Sequence, residues 1–281
     1  MNPMSTDTQT SGPSQRGRTW FDALTAGMTA QANAVPSVRS ADGELAGRPC
    51  RIVLVQPDPG NRYPRARSGE VGLLEGWALA STINEVIRAD AQQGIKRAIV
   101  AIVDVPSQAY GRREEALGIH QALAAAVSAY ARARQAGHPV LALLVGKAMS
   151  GAFLAHGYQA NFIFALNDEA VLVHAMGKAA AARVTQRTEE ELDRLAADIP
   201  PMAYDLQSYA SLGLVEKLID VTCADAPAPE DIQSVRQILA DALGALNGST
   251  DLARRLLGPN RAASRHVRAR LREQWHNEAD A

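Results

Sequence analysis

Apolar residues along the chain fall into two alternating patterns. Uninterrupted aliphatic runs at 51–55 (RIVLV), 97–103 (RAIVAIV) and 140–145 (VLALLV) predict short strands buried on both faces. Between them, 71–93 carries Leu74, Trp77, Ala78, Ser81 and Val86 near helical spacing, and 112–135 is rich in alanine; both predict long helices. The alternation from residue 51 to about 175 predicts βαβ units, a parallel sheet and an α/β fold. Two further short strands are expected at 162–165 and 170–173. A helix follows at 189–197, broken by Pro200 and Pro201, and another at 204–212, stopped by Gly213. A last strand is expected at 215–219. A first helix is expected at 19–29, with Trp20, Leu24 and Met28 on one face, and helical segments at 229–246, 252–257 and 262–275. The chain thus divides into a polar tail over 1–18, rich in Ser, Thr, Gln, Gly and Pro and expected to be disordered, an α/β domain over 19–225, and a helical extension over 226–281.

The run VLALLVGKAMSGAFLAHG at 140–157 is the most informative segment. Its strand is expected to break at Gly146, and Ser150-Gly151-Ala152 to open a short apolar helix ending near Gly157. Such a turn leaves backbone N–H groups unpaired and pointing one way, and the small side chains of Gly151 and Ala152 admit a carbonyl oxygen close to the main chain. The pattern suits an oxyanion, and so acyl-thioester chemistry; the alternative is a plain strand–turn–helix connection. In a parallel sheet the loop after the 97–103 strand lies beside this turn. It holds Asp104, Pro106, Ser107, Gln108, Tyr110 and Gly111. Ligands of open α/β sheets sit at these carboxyl ends, where one N–H from each loop can grip a single oxygen.

Charge and composition narrow the partners. Lys and Arg number 29 against 30 Asp and Glu, and aromatics make up 5%, so neither a basic footprint nor stacking platforms for nucleic acid are expected. Cys50 and Cys223 lack motif spacing and read as small core residues of a reduced, cytoplasmic protein. No run approaches about 18 apolar residues, so no membrane span is expected, and the polar start lacks the apolar centre of a secretory signal. No histidine pair has metal-ligand spacing, and neither a dinucleotide nor a P-loop glycine motif is present.

Individual side chains keep two readings. His174 lines a pocket and shuttles a proton, or is a hydrogen-bonded structural histidine. His156 is structural or interfacial, and His138 sits in a surface turn before a strand. Lys147, beside the proposed hole, attracts a carboxylate or a carrier phosphate, or lies on the surface. Arg62, Arg65 and Arg67 meet an acidic carrier protein or are solvated loop charge. Glu114 and Glu115 start a helix, where acids favour the dipole. The segment RAASRHVRARLREQW, with Val267, Leu271 and Trp275 at helical spacing, reads as an amphipathic helix docking on the body or on a partner.

The runs DVPSQAYGRREEALGI and AYARARQAGHPVLALLVGKAMSGAFLAHG resemble the carboxyltransferase branch of the crotonase superfamily, the ClpP/crotonase ββα superhelix. There an Asp-x-Pro loop and Gly-x-x-x-Glu precede a helix, and a second strand enters a small-residue turn. GKAMSGAFLAHG, VHAMGKAAAARVT and IPPMAYDLQSYASLGLVEKLID are similar to malonate decarboxylase gamma subunits over residues 48–222. The resemblance implies a crotonase-like carboxyltransferase domain with a helical C-terminal extension. It implies a subunit that, with a beta subunit of similar fold, decarboxylates a malonyl thioester on the phosphopantetheine-type thiol of an acyl-carrier subunit, while an alpha subunit exchanges acetyl for malonate. No cofactor or metal on this chain is required. The positions matching the oxyanion hole are Ser107 and Gln108 in the first loop and Gly151 and Ala152 in the second; Tyr110, Gly111, Lys147, Ser150 and His174 surround the substrate. Ser107-Gln108 departs from the Gly-Phe of many carboxyltransferases, so these two side chains also become candidates for contact. Rivals are a component that passes the carboxyl group to biotin, and a non-catalytic scaffold. A ClpP-type peptidase places Met149, not Ser150, at the nucleophile position, which leaves Ser150 as a helix N-cap.

Overall fold

The computed structural model describes residues 12–246 and 248–279. The elements of its first half are α1 (Arg16–Leu24), β1 (Thr29–Gln31), β2 (Val38–Leu45), β3 (Arg48–Val55), α2 (Leu73–Ala89), β4 (Ala98–Val105), α3 (Arg112–Ala116), α4 (Ile119–Gln135) and β5 (Val140–Met149). Those of the second half are α5 (Ser150–Ala155), β6 (Phe162–Leu166), β7 (Val173–His174), α6 (Lys178–Thr185), α7 (Glu189–Asp198), α8 (Leu206–Ser211), β8 (Lys217–Ile219), α9 (Pro229–Ala245) and α10 (Ala262–Ala279). Residues 1–11 of the expected tail lie outside the described residues. Its remainder is ordered, because α1 begins at Arg16 and buries Trp20, Phe21 and Leu24.

The sheet runs β1-β2-β3-β4-β5-β6-β8, and β7 pairs with the end of β5. From β3 onward the pairs are parallel, as the βαβ pattern requires. The first three strands are antiparallel, so the sheet is mixed. Ala46 and Gly47, with φ of 51° and 74°, close a two-residue hairpin that pairs Leu45 with Arg48. All eight residues of β4 are buried, as they must be when helices cover both sheet faces. Arg51 points to one face, where it bonds Glu85 and the carbonyl of Thr82 on α2. Leu54, three residues on and therefore on the other face, lies against Gly17 of α1. The helix expected over 112–135 is two helices, because Gly118 takes a left-handed φ of 81° that ends the first turn.

β5 does not break at Gly146. It continues to Met149, and the β4–β5 pairing instead shifts register between Val103 and Val105 on β4. A Cβ on Gly146 would lie 2.1 Å from Oδ1 of Asp104. The glycine therefore admits a buried carboxylate, which accepts from the N–H of Lys147 (3.2 Å), the N–H of Gly17 (3.1 Å) and the hydroxyl of Ser14 (2.5 Å). This knot fixes the carboxyl ends of β4 and β5 against the start of α1. Cys50 is buried as expected, but Cys223 is exposed. His138 is buried beside the carbonyl of Arg97 (2.9 Å), because its turn is covered by the protein rather than by solvent.

Candidate active site

The two loops expected side by side are in contact. After β4, the chain makes an isolated bridge with Val71: Val71 N–H donates to the Ser107 carbonyl (3.1 Å), and Ala109 N–H donates to the Val71 carbonyl (2.8 Å). This pairing leaves the N–H of Gln108 without a partner among the described residues and directs its side chain across the gap. There Gln108 Oε1 accepts the N–H of Gly151 at 3.0 Å. Ser107 Oγ donates to the Gln108 carbonyl (3.1 Å). Ala152 follows, fully buried, in the first turn of α5. A Cβ on Gly151 would lie 3.4 Å from Leu123 and 3.5 Å from Gln108 Oε1, so the turn is closely walled.

Ser150 is not the N-cap of α5. Met149 holds that position, and Ser150 takes φ of 57°, a left-handed conformation that a non-glycine residue adopts only where its surroundings impose it. Its Oγ donates to the Ala175 carbonyl (2.7 Å) and ties the elbow to the end of β7. On β7, His174 pairs in register with Met149. Its Nδ1 lies 2.8 Å from the Met176 carbonyl oxygen, and its ring stacks on Tyr204 at 3.9 Å and 16°. Tyr204 donates its hydroxyl to the same Met176 carbonyl (2.9 Å). Burial, partly offset by the Met176 hydrogen bond, holds the His174 imidazole below its ordinary pKa. Burial first, then the charges of Glu189 and Asp193, raises the Tyr204 phenol.

The remaining candidates spread outward. Lys147 is exposed and lines a cavity of 590 Å³ with Arg16, Glu70, Asp104, Pro106 and Gly146. Arg16 is already committed there to Asp168 and Asp225, each at 2.6 Å. Tyr110 is half exposed beneath the Arg65 guanidinium, 4.0 Å from the ring centre. The three loop arginines serve their own loop: Arg65 binds Glu70 (2.8 Å), Arg62 the Tyr63 hydroxyl (3.0 Å) and Arg67 the Asn61 carbonyl (2.8 Å). Glu114 folds back into the space beside Gly111 that a Cβ would take, and its carboxylate is buried there at the start of α3. His156 is structural, fully buried between Tyr130 Oη (3.0 Å) and the Ile102 carbonyl (2.8 Å). Tyr204 is the contact the sequence did not flag. It lies 30 residues beyond His174, and only β7 and the 199–205 segment bring the two together. Among the described residues no three His, Cys, Asp or Glu side chains converge as a metal site, and no helix is long and apolar enough to cross a membrane.

Comparisons with known proteins place the chain in a family. Residues 66–275 match the family model MdcE, malonate decarboxylase gamma subunit. A chain of a Pseudomonas malonate decarboxylase hetero-tetramer, solved in complex with coenzyme A, is 60% identical over 92% of this chain and 99% of its own, with a TM-score of 0.89. The malonyl-S-ACP:biotin-protein carboxyltransferase MADD of Malonomonas rubra is 33% identical over 189 residues, which span 66% of this chain and 65% of that protein. A chain of the transcarboxylase 12S hexamer shares the fold at 22% identity and a TM-score of 0.59, over 84% of this chain and 40% of its own. The fold is the crotonase-like α/β fold of the carboxyltransferases, and the chain belongs to the malonate decarboxylase gamma subunit family.

Proposed function

We propose that this chain acts with a beta subunit of similar fold to decarboxylate a malonyl thioester carried on the phosphopantetheine-type thiol of an acyl-carrier subunit, giving the acetyl thioester. A third subunit, an alpha acyltransferase, reloads the carrier with malonate. The observation that carries this reading is the carbonyl oxygen of the Gln108 side chain, which reaches from the facing loop and accepts the Gly151 N–H at 3.0 Å. A thioester carbonyl takes the same place. When the C–C bond breaks and carbon dioxide leaves, its electron pair moves into the thioester and charges that oxygen. The N–H groups of Gly151 and Ala152, joined by that of Gln108 across the gap, stabilise the enolate; one such donor contributes about 3–4 kcal/mol in comparable sites.

Gly111 and the loop with Ser107 and Tyr110 form one wall, and Ser150 with His174 the other. Lys147, three residues before Ser150 and exposed in the cavity it shares with Arg16 and Glu70, attracts a carboxylate in this reading. The helix α10 leaves Val267, Leu271 and Trp275 exposed along one stripe, and in this reading it docks on a partner subunit. The relative solved as a hetero-tetramer supports such an assembly.

The test is decarboxylation of malonyl-carrier protein by the co-expressed beta–gamma pair without biotin, wild type against Gly151→Val, after confirming assembly. Loss of about 10²–10³ in turnover supports the site. Undiminished release reassigns catalysis to the beta subunit. Release only with biotin and its carrier protein assigns the biotin-linked activity for which the Malonomonas relative is named.

A further inference from the structure

Loss of carbon dioxide leaves an enolate that must gain a proton on carbon, and resting on the reading above, we propose that His174 delivers it and that Tyr204 is the positioning residue that presents His174 Nε2. His174 stands at the site because β7 is only two residues long and pairs with the last two residues of β5, Ala148 opposite Val173 and Met149 opposite His174. The next residue, Ser150, is bonded through Oγ to the Ala175 carbonyl (2.7 Å). The main chain at His174 is thereby held in register with Met149, the residue before the elbow that carries Gly151.

The ring is held by three contacts that use only one of its nitrogens. Nδ1 meets the Met176 main chain, 2.8 Å from its carbonyl oxygen and 3.1 Å from its N–H, Tyr204 packs face to face at 3.9 Å, and the Tyr204 hydroxyl donates to the same carbonyl at 2.9 Å. Nε2 has no protein partner among the described residues. His156 shows the contrast, since a histidine that serves only the core has both nitrogens occupied, one by Tyr130 and one by Ile102. A ring clamped at Nδ1 and open at Nε2 is the arrangement of an acid–base group with an oriented second nitrogen.

The step balances. Nε2 of the imidazolium gives its proton to the enolate carbon: the C=C π pair forms the new C–H bond, and an electron pair on oxygen restores the thioester carbonyl. Neutral imidazole remains and takes its next proton from solvent. Burial makes the imidazolium a stronger acid, in the direction this transfer needs. Among the described residues, the charged groups near the Tyr204 ring stacked on the imidazole are Lys178, 5.8 Å from the Tyr204 ring centre and paired with Asp193 at 2.6 Å, and Glu189, which acts on Tyr204. Carboxylates, amines and phenols ordinarily change charge outside the range of an imidazole, so among the groups around this ring the one that gives a limb near the ordinary histidine value is His174, and the limb that moves in Tyr204→Phe is assigned to it.

The reverse of this step needs no carbon dioxide, which allows a separate test. The purified beta–gamma pair is given acetyl-carrier protein in D2O, and exchange of the methyl protons is followed beside carbon dioxide release from malonyl-carrier protein. His174→Gln is expected to slow exchange by about 10²-fold with assembly intact. In His174→Ala, imidazole added to the buffer restores part of the rate, which a merely structural role would not allow. Tyr204→Phe keeps the stack and loses the hydroxyl bond; it is expected to shift the pH limb and lower kcat with little change in KM. Wild-type rates of exchange in His174→Gln, an unmoved pH limb in Tyr204→Phe, or no exchange by a wild-type pair that decarboxylates would overturn the assignment. Failure of the underlying site looks different: Gly151→Val then exchanges and decarboxylates as wild type does.

Discussion

Gly151 and Gln108 belong to different loops, yet the main-chain N–H of one holds the side-chain oxygen of the other at 3.0 Å. In the free subunit the donor proposed for the substrate is occupied by an internal carboxamide. The thioester carbonyl must displace it, and the net value of one such hydrogen bond is about 1 kcal/mol. Gln108→Ala is therefore expected to lower KM for malonyl-carrier protein about fivefold, since 1.4 kcal/mol is tenfold. Steady-state kinetics of the assembled pair decide it, and an unchanged or raised KM sinks the idea of a self-filled hole.

Asp104 and Gly146 set the spacing of the two loops. The carboxylate accepts three donors, two from the start of α1 and one from β5, and occupies the space where a Cβ on Gly146 would stand. Gly146→Ala must push Asp104 off these donors or part β4 from β5. Overpacking of this kind costs about 1–3 kcal/mol. Chemical denaturation of the purified complex measures the loss. The double variant Gly146→Ala/Asp104→Ala should cost less than the sum of the two single changes, because the first clash vanishes with the carboxylate. Strict additivity would place the strain elsewhere.

How much of this was legible in the sequence depends on what each residue faces. β4 and β5 are buried on both sides, so their apolar runs are unbroken and easily read. β2 carries Arg39, Asp42 and Glu44 and gives no such run, because Asp42 serves the Arg51 and Arg97 guanidinium groups rather than an apolar core. The parallel alternation was enough to bring Gln108 and Gly151 to one edge. It held no information on the Gln108 rotamer, which is held by the Gly151 N–H while the Val71 bridge fixes the backbone. Ser150 resembled a cap because serine before a small-residue helix ordinarily is one; a left-handed φ is invisible in the residue type. Tyr204 was read only as the start of a helix, since a ring stacked on a histidine 30 residues away has no local signature.

His156 makes the stability of the fold depend on pH. Burial lowers its pKa to about 4, with the bond to the Ile102 carbonyl opposing the shift in part. The unfolded chain takes up this proton near the ordinary histidine value of about 6.5, whereas the folded chain resists it. The folded state therefore binds fewer protons between these values. The contribution is complete above the unfolded value and is lost as the pH falls from there toward about 4, with a ceiling of about 3 kcal/mol. Urea unfolding across this window should show stability falling with acidity. His156→Gln, which keeps a hydrogen-bonding side chain between Tyr130 and Ile102 but cannot be protonated, should be less stable at neutral pH and flatter in its pH response. If the variant falls as steeply as wild type, the acid sensitivity belongs to another group, and the buried histidine bridging α4 to β4 carries none of it.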